Sequence, residues 1–222
     1  RGGRIEKAEI EEVEGRLAPT GGTCGVMGTA STIACMTETL GMMLTGGATI
    51  PSVFADRLRH GEAAGKQAIK IAKKGITPSQ IMTPDAFENA LRILLAIGGS
   101  TNAIIHLTAI AGRLGIEIDL EGFDRMGQET PVLIDLKPTG KYYMDDLFRA
   151  GGLSAILREL KPLLNLDCLT ITGRTLGEEI ELSPKPFKQN VVQSFKNPIH
   201  SGGGIAFLKG NFLNDFMIFK SN

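Results

Sequence analysis

Gly21-Gly22-Thr23-Cys24-Gly25-Val26-Met27-Gly28-Thr29-Ala30-Ser31-Thr32 sets a cysteine among glycines and small hydroxyl residues, directly before an apolar helical pattern. In that pattern Ile33, Met36, Leu40 and Met43 recur at helical spacing, Gly41 interrupts them, and Gly46-Gly47 ends the run. Thr29 or Ser31 is expected to cap the helix. Such a loop brings a thiolate close to backbone N–H groups at a helix start and leaves room beside the sulfur. Those N–H groups stabilise negative charge on sulfur, which suits a metal or iron–sulfur ligand. A buried structural cysteine fits the same residues, and the motif alone leaves both readings open.

Working outward, residues 4–17 read as a weak amphipathic helix around Ile5, Ile10, Val13 and Leu17, and residues 52–74 as a second helical region. Thr77-Pro78 and Thr83-Pro84 are turn-to-helix steps, because proline is favoured at the first helical position. From Asp85 to Ile97 the spacing predicts a helix with Phe87, Leu91, Leu94 and Leu95 inward. Gly98-Gly99-Ser100-Thr101-Asn102 breaks it, and Ala103 to Leu114 resumes a helix with three good capping residues before it. Ile116 to Leu120 alternates like a short strand, Pro131 to Leu136 is a second strand candidate, and Asp167 to Thr172 is β-like. Lys137-Pro138-Thr139-Gly140 is a turn, followed by helical pieces at Tyr143–Arg149 and Leu153–Leu160. After about Ser183 prolines replace helical periodicity, and Gly202-Gly203-Gly204 leads into the strand-like Ile205 to Lys209. The fold class is therefore a mainly helical α/β domain with a small sheet. Its boundaries are 1–183 for the main domain and 184–222 for a linker and the start of a second one.

Composition narrows the chemistry. The chain has 222 residues, 42% hydrophobic and 22% charged, enough for a packed core. Its 24 basic and 24 acidic residues balance, giving no support for nucleic-acid or membrane-surface binding. The 28 glycines exceed the roughly 7% of average usage and cluster where backbone must approach something closely. Cys24, Cys35 and Cys168 are too few and too widely spaced for a disulfide framework and fit a reducing, cytoplasmic setting. No apolar run reaches the ~18 residues of a membrane span, and Arg1 to Gly15 lacks a signal-peptide core.

Other constellations read mostly as structure. Gly98 to Asn102 could hold a carboxylate or phosphate at a helix N-terminus, though a capped, tightly packed turn explains it as well. No Lys-Ser/Thr follows for a P-loop, the glycines at 202–204 do not match GxGxxG, and no GxSxG occurs. Neither CxxC nor a short His/Cys spacing is present for zinc. His106 is expected in the core or hydrogen-bonded, while His60 and His200 lie in polar stretches without obvious partners. Cys35 and Cys168 read as core residues, and Asp135, Asp145 and Asp146 as solvated or helix-start carboxylates.

Several motifs, taken in order, resemble one family. Gly22-Thr23-Cys24 with Met27 to Thr32 and Glu38-Thr39-Leu40-Gly41-Met42 is similar to the cluster-ligand segment of the dihydroxy-acid and phosphogluconate dehydratases. Ala86-Phe87-Glu88-Asn89-Ala90, then Gly98 to Ala103 with His106-Leu107, resemble its next block. Leu136 to Tyr142 and Ala150-Gly151-Gly152 resemble a later one, and Gly203 to Asn211 resembles the passage into the second domain. The Gly28-Thr29-Ala30-Ser31-Thr32 wording looks most like the sugar-acid, arabonate-type branch; the branched-chain amino-acid biosynthesis enzymes more often carry Tyr or Phe with Thr-Ala-Asn-Thr.

The resemblance implies a hydro-lyase that converts a 2,3-dihydroxy acid or sugar acid to a 2-oxo acid and water. It implies an iron–sulfur cluster, [2Fe–2S] or [4Fe–4S], as Lewis acid on the departing 3-hydroxyl, with Mg²⁺ on the carboxylate and 2-hydroxyl. Cys24 would be one of three cysteine ligands. Ser100, Thr101 and Asn102 would lie on the active-site side of the domain. A small-molecule acid substrate and a homodimer or homotetramer follow, with no nucleic acid and no membrane. The fold implied is the family's N-terminal domain plus the first strand of a truncated, β-barrel-like second domain. The other two ligand cysteines, the acidic and lysine magnesium residues and the serine base have no counterpart here, and Asp215-Phe216 stands where the family has Asp-Gly. The chain thus reads as an internal fragment without a catalytic residue of its own, expected not to turn over unaided. A non-catalytic module keeping the scaffold, and an anion-binding domain using Gly98–Asn102, are the alternatives.

Overall fold

Ten α-helices, besides a short 3-10 turn (Lys161–Leu163), are seen among the described residues of the computed structural model, which are 3–18, 20–185, 187–209 and 216–220. In chain order they are α1 (Lys7–Arg16), α2 (Thr29–Thr39), α3 (Ala55–Lys74), α4 (Pro78–Ile81), α5 (Pro84–Ile97), α6 (Asn102–Arg113), α7 (Leu120–Glu129), α8 (Met144–Arg149), α9 (Gly152–Leu160) and α10 (Leu176–Leu182). Two strands, β1 (Ile205–Lys209) and β2 (Phe216–Lys220), pair antiparallel in the register Ile205 to Lys220 through Lys209 to Phe216.

The core is built around α5. Thr83 accepts a hydrogen bond from the Ala86 N–H at 3.3 Å and Pro84 occupies the first helical position, so the start is fixed as the sequence predicts. Phe87, Leu91, Leu94 and Leu95 are buried together with all three alanines and both isoleucines of the helix. α2, α6 and α7 all pack against it, and α2 and α6 also against each other. Gly98 ends the helix in the left-handed region at φ 54°, and the Gly98 and Gly99 N–H groups return to Leu95 and Leu94. The carbonyls of Leu95 and Ala96 take hydrogen bonds from Gly204 and Leu133, so the helix end is satisfied by incoming loops. Asn89, fully buried, donates to the Asn165 carbonyl at 2.9 Å and accepts from its N–H at 2.8 Å, tying the loop after α9 to α5. Residues 187–209 also wrap this core. Val191 and Val192 are buried, and Phe207 meets Phe123 of α7 edge-on at 5.0 Å.

Strand expectations are met only in part. Ile116 to Asp119 is extended but pairs with no strand; Ile116 and Ile118 lean on the core while Glu117 and Asp119 face solvent. A period of two arises there from one-sided packing of a lone extended segment, without a ladder. Val132, Ile134 and Leu136 form isolated bridges to His200, Val192 and Tyr142, and Leu169 bridges Thr175. The sheet lies instead in the tail, where β1 was expected. The link Gly210 to Asp215, including the end of the Gly203–Asn211 motif, lies outside the described residues. No helix among the described residues is long and apolar enough to cross a membrane.

Candidate functional site

Cys24 sits five residues before Thr29, the first residue of α2, and is exposed. Its thiol donates to the Val26 carbonyl at 3.6 Å. It borders a cavity of about 410 Å³ whose walls are the 20–25 loop, the first turns of α2 through Ala30, Ser31 and Ala34, residues 48–54, and Met144 with Asp145. The side chains nearest the sulfur along the chain and on α2 are small, so the space survives folding. Cys24 is therefore not a core cysteine. Cys35, by contrast, is 1% exposed and burial pushes its thiol up to about 12. Cys168 is half-buried, its thiol raised by burial and then by Asp85.

Three sets of bonds shape the loop that carries the sulfur. The Met27 N–H donates to the Lys137 carbonyl at 3.0 Å and the Met144 N–H to the Gly25 carbonyl at 2.8 Å. Tyr143, whose hydroxyl accepts from Lys137 Nζ at 2.7 Å, lies so near that a Cβ on Gly25 would sit 3.4 Å from its ring. On the opposite wall Ser52 Oγ donates to the Gly21 carbonyl and Arg57 to the Ile50 carbonyl.

That wall is held from behind by a residue that the sequence shows only as part of the Glu38–Met42 motif, with no role of its own. Glu38 of α2 is 5% exposed, and its two oxygens accept from the Gly46 and Ala48 N–H groups at 2.7 Å each. Burial raises its carboxyl, the two N–H bonds lower it, and nearby Glu179 raises it again, leaving it at about 7. Glu179 accepts from Thr45 Oγ1 and Thr172 Oγ1 at 2.6 Å and from Arg174 Nε at 2.8 Å. The available signal for Glu38 was a lone charge on the inward face of an apolar helix, one turn before Gly41.

The two glycine motifs converge. Thr29 Oγ1 and Ser100 Oγ are 3.0 Å apart, Asn102 Nδ2 donates to Thr29 Oγ1 at 3.0 Å, and the Ser100 N–H donates to Thr32 Oγ1 at 3.1 Å. Ser100 Oγ accepts from the Asn102 N–H at 3.3 Å, capping α6, while Thr101 at the N-cap makes no side-chain cap bond. Ser100 and Asn102 thus meet the first turn of α2 from its Thr29/Thr32 side, Thr101 making no such bond, while Ala30 and Ser31 of that turn face the cavity. Neither Thr29 nor Ser31 caps α2; the N-cap is Gly28, because Thr29 is already helical and turned toward Ser100.

The histidines stand apart. His106, expected in the core or hydrogen-bonded, is exposed, because the inward stripe of α6 runs through Ala103, Ile104, Leu107 and Ala111. His60 lies over Gly47, where a Cβ would come 2.3 Å from Nε2, and burial followed by Arg57 lowers its pKa. His200 contributes its carbonyl to Val132. Asp146 accepts from the Tyr143 N–H at 2.8 Å and Asp135 faces Lys141 at 3.8 Å, both structural as expected. No group of three or more His, Cys, Asp or Glu that could hold a metal ion occurs among the described residues.

Accessibility and thiol acidity predict a graded reactivity. With Ellman's reagent at neutral pH, Cys24 is expected to react first, Cys168 more slowly, and Cys35 only on unfolding, about 1,000-fold or more behind. Stopped-flow thiol titration of the protein and of Cys24→Ser checks it; an undiminished fast phase in the variant contradicts the assignment.

Comparison with known proteins adds a second line. Residues 1–179 match the family model described as dihydroxy-acid/6-phosphogluconate dehydratase, N-terminal. A dihydroxy-acid dehydratase of Caldanaerobacter subterraneus is 42% identical over 100% of this chain and 40% of its own length. One of Ruminiclostridium cellulolyticum is 43% identical over the same shares, 100% and 40%. One of Methanococcoides burtonii is 41% identical over 99% of this chain and 40% of its own length. The chain spans about 40% of the length of the curated relatives it matches.

Proposed function

From the premise that the chain belongs to the dihydroxy-acid/6-phosphogluconate dehydratase family, we propose that it forms part of the cluster-binding domain of a hydro-lyase. The reaction proposed takes a 2,3-dihydroxy acid to a 2-oxo acid and water. The observation that carries this is the exposed Cys24 thiol at a cavity of about 410 Å³ beside a helix start, with glycines of its own loop and Ala30, Ser31 and Ala34 of α2 among the lining. A cluster fits that setting through one ligand, Cys24. When bound, it supplies a Lewis acid that polarises a leaving hydroxyl. Mg²⁺ finds no donor set among the described residues, so no role is assigned to it in this chain.

The remaining work is done by the chain's own residues. Met27, Met144, Ser52 and Arg57 fix the loop and the wall around the sulfur. Ser100 and Asn102, with Thr101 between them, brace through Thr29 and Thr32 the first turn of α2, whose Ala30 and Ser31 line the Cys24 cavity. Residues 184–222 are the proposed passage into a second domain, supported by the change from helices to the β1–β2 pair. The finer substrate reading is a sugar acid: a Cβ on Gly28 would meet nothing within 4 Å, leaving open space where an aromatic side chain would stand. With one ligand and no magnesium donors among the described residues, the chain alone is proposed to be inactive.

Anaerobic reconstitution with iron and sulfide tests the proposal. Expected are little stable cluster on the isolated chain, a coloured protein when the segment sits in a full-length family enzyme, and loss of iron, sulfide and visible absorption in that enzyme on Cys24→Ser. Full cluster content in the Ser variant, or turnover by the isolated chain, contradicts it. Offering that enzyme an aldonate beside a branched 2,3-dihydroxy acid decides the substrate; preference for the branched acid removes the sugar-acid reading.

A further inference from the structure

A second cavity, of about 450 Å³, lies beyond the wall formed by residues 45–49 and is lined by Thr45, Thr49, Gly151, Gly152, Ser154 and Arg174, among others. α9 begins there. Its N-cap is Gly151 at φ 104°, it has no side-chain cap, and Gly152, Leu153 and Ser154 are all buried. The first N–H groups of a helix have no acceptor within the helix, and a buried start without a cap leaves them in want of one. Thr49 supplies an independent sign of the same want. The residue is 4% exposed, and its Oγ1 is buried without a hydrogen-bond partner. A Cβ placed on Gly152 would fall 2.6 Å from that oxygen, so the hydroxyl is aimed at the helix start. Glycines at positive φ, 104° and 64°, let the backbone come that close. Arg174 brings a guanidinium to the same wall. Glu179 lines it too, but its carboxylate is occupied by Thr45, Thr172 and Arg174.

We propose that the start of α9, with the Thr49 hydroxyl and Arg174, is a binding site for a small oxyanion, on the α9 side of the wall that Thr49 shares with the Cys24 cavity. The N-terminal amides and helix dipole favour negative charge, the hydroxyl turns to donate, and the guanidinium adds a charged donor. The shared chemistry is a tetrahedral phosphate or a planar carboxylate, and the proposal stands whether or not Cys24 holds a cluster.

The test is a titration of the ¹⁵N-labelled chain followed by NMR, with inorganic phosphate in one arm, acetate in a second and sodium chloride at matched ionic strength in a third. Expected are saturable shifts at Gly151, Gly152, Leu153 and Thr49 with an affinity on the order of millimolar, in the phosphate arm, the acetate arm or both, and not with chloride. The arm that saturates names the source of the oxyanion. Thr49→Val should weaken binding about fivefold or more, and Thr49→Ser should restore it. Absence of saturation in both arms, equal shifts with chloride, or unchanged affinity in Thr49→Val overturns the proposal and leaves a trapped water as the partner of Thr49. If the Val variant fails to fold, Arg174→Gln replaces it, with the same direction expected.

Discussion

Raising the pH from 4.5 to 7 is expected to cost the fold about 3 kcal/mol through Glu38 alone, and Glu38→Gln is expected to remove that loss. Burial holds the Glu38 carboxyl at about 7 in the folded state, against 4.5 for the ordinary group. Between those values the unfolded chain releases its proton while the folded chain keeps it. The folded state therefore binds more protons, and stability falls as pH rises; it is full below 4.5 and reaches its lower plateau above 7. Glu179 does not blur the window. Burial raises its carboxyl, but Thr172, Thr45 and Arg174 together pull it below the ordinary value. Its contribution is present above pH 4.5 and is lost on further acidification. In Glu38→Gln one amide oxygen still accepts from Gly46 or Ala48, while the amino group faces the other N–H. The variant is thus expected to be weaker at low pH by roughly 1–3 kcal/mol, yet flat across the window. Urea denaturation at pH 5 and pH 7.5 decides it; parallel slopes for both proteins reject Glu38 as the source. Because its two oxygens hold the 46–48 backbone, the same change should loosen the wall of the Cys24 cavity and alter the rate of thiol labelling there.

Local signals in the sequence were sound where a helix is bounded by its own neighbours. Thr83-Pro84 and Gly98 frame α5 as expected, because capping and left-handed termination are settled within a few residues. α10 carried an equally local sign, Thr175 with Glu178, whose reciprocal bonds at 3.2 and 2.8 Å close a capping box, and it could have been found on that ground. α7 had weaker marks; Phe123 and Met126 are its only large apolar residues after Leu120. Signals that depend on distant partners were not legible. The alternation at Ile116–Asp119 reports one-sided burial, and nothing local tells it from a strand. Thr29 and Ser100 are 71 residues apart, so neither motif could announce that the two helix starts share hydroxyls. The role of Glu38 was not legible, because the N–H groups that justify its burial come from a loop eight and ten residues later. The resemblance placed Cys24 at a cluster; the residues that hold the cavity open became visible only in three dimensions.

Gly99→Ala is expected to destabilise the protein by roughly 2–3 kcal/mol and to disturb the Cys24 cavity from the far side of α2. A Cβ there would lie 2.8 Å from both Leu94 Cδ1 and Thr32 Cγ2, and 3.2 Å from Thr32 Oγ1. Leu94 ends in a rotatable methyl, but Thr32 is fully buried and β-branched, and its hydroxyl accepts from the Ser100 N–H. Relief must therefore come from α2 moving off α5. That shift acts on the turn that bears Thr29 and, on its next face, Ala30 and Ser31 at the cavity. Thr32→Ser removes the offending methyl and keeps the acceptor oxygen. Alone it should cost about 1 kcal/mol for the lost methyl; combined with Gly99→Ala it should recover a good part of the penalty. A coupling energy of about 1 kcal/mol or more between the two sites, read from thermal or urea melts of the four proteins, is the expected result. Strict additivity would mean that the glycine is tolerated by Leu94 alone, and that close packing at this seam does not govern where the first turn of α2 sits.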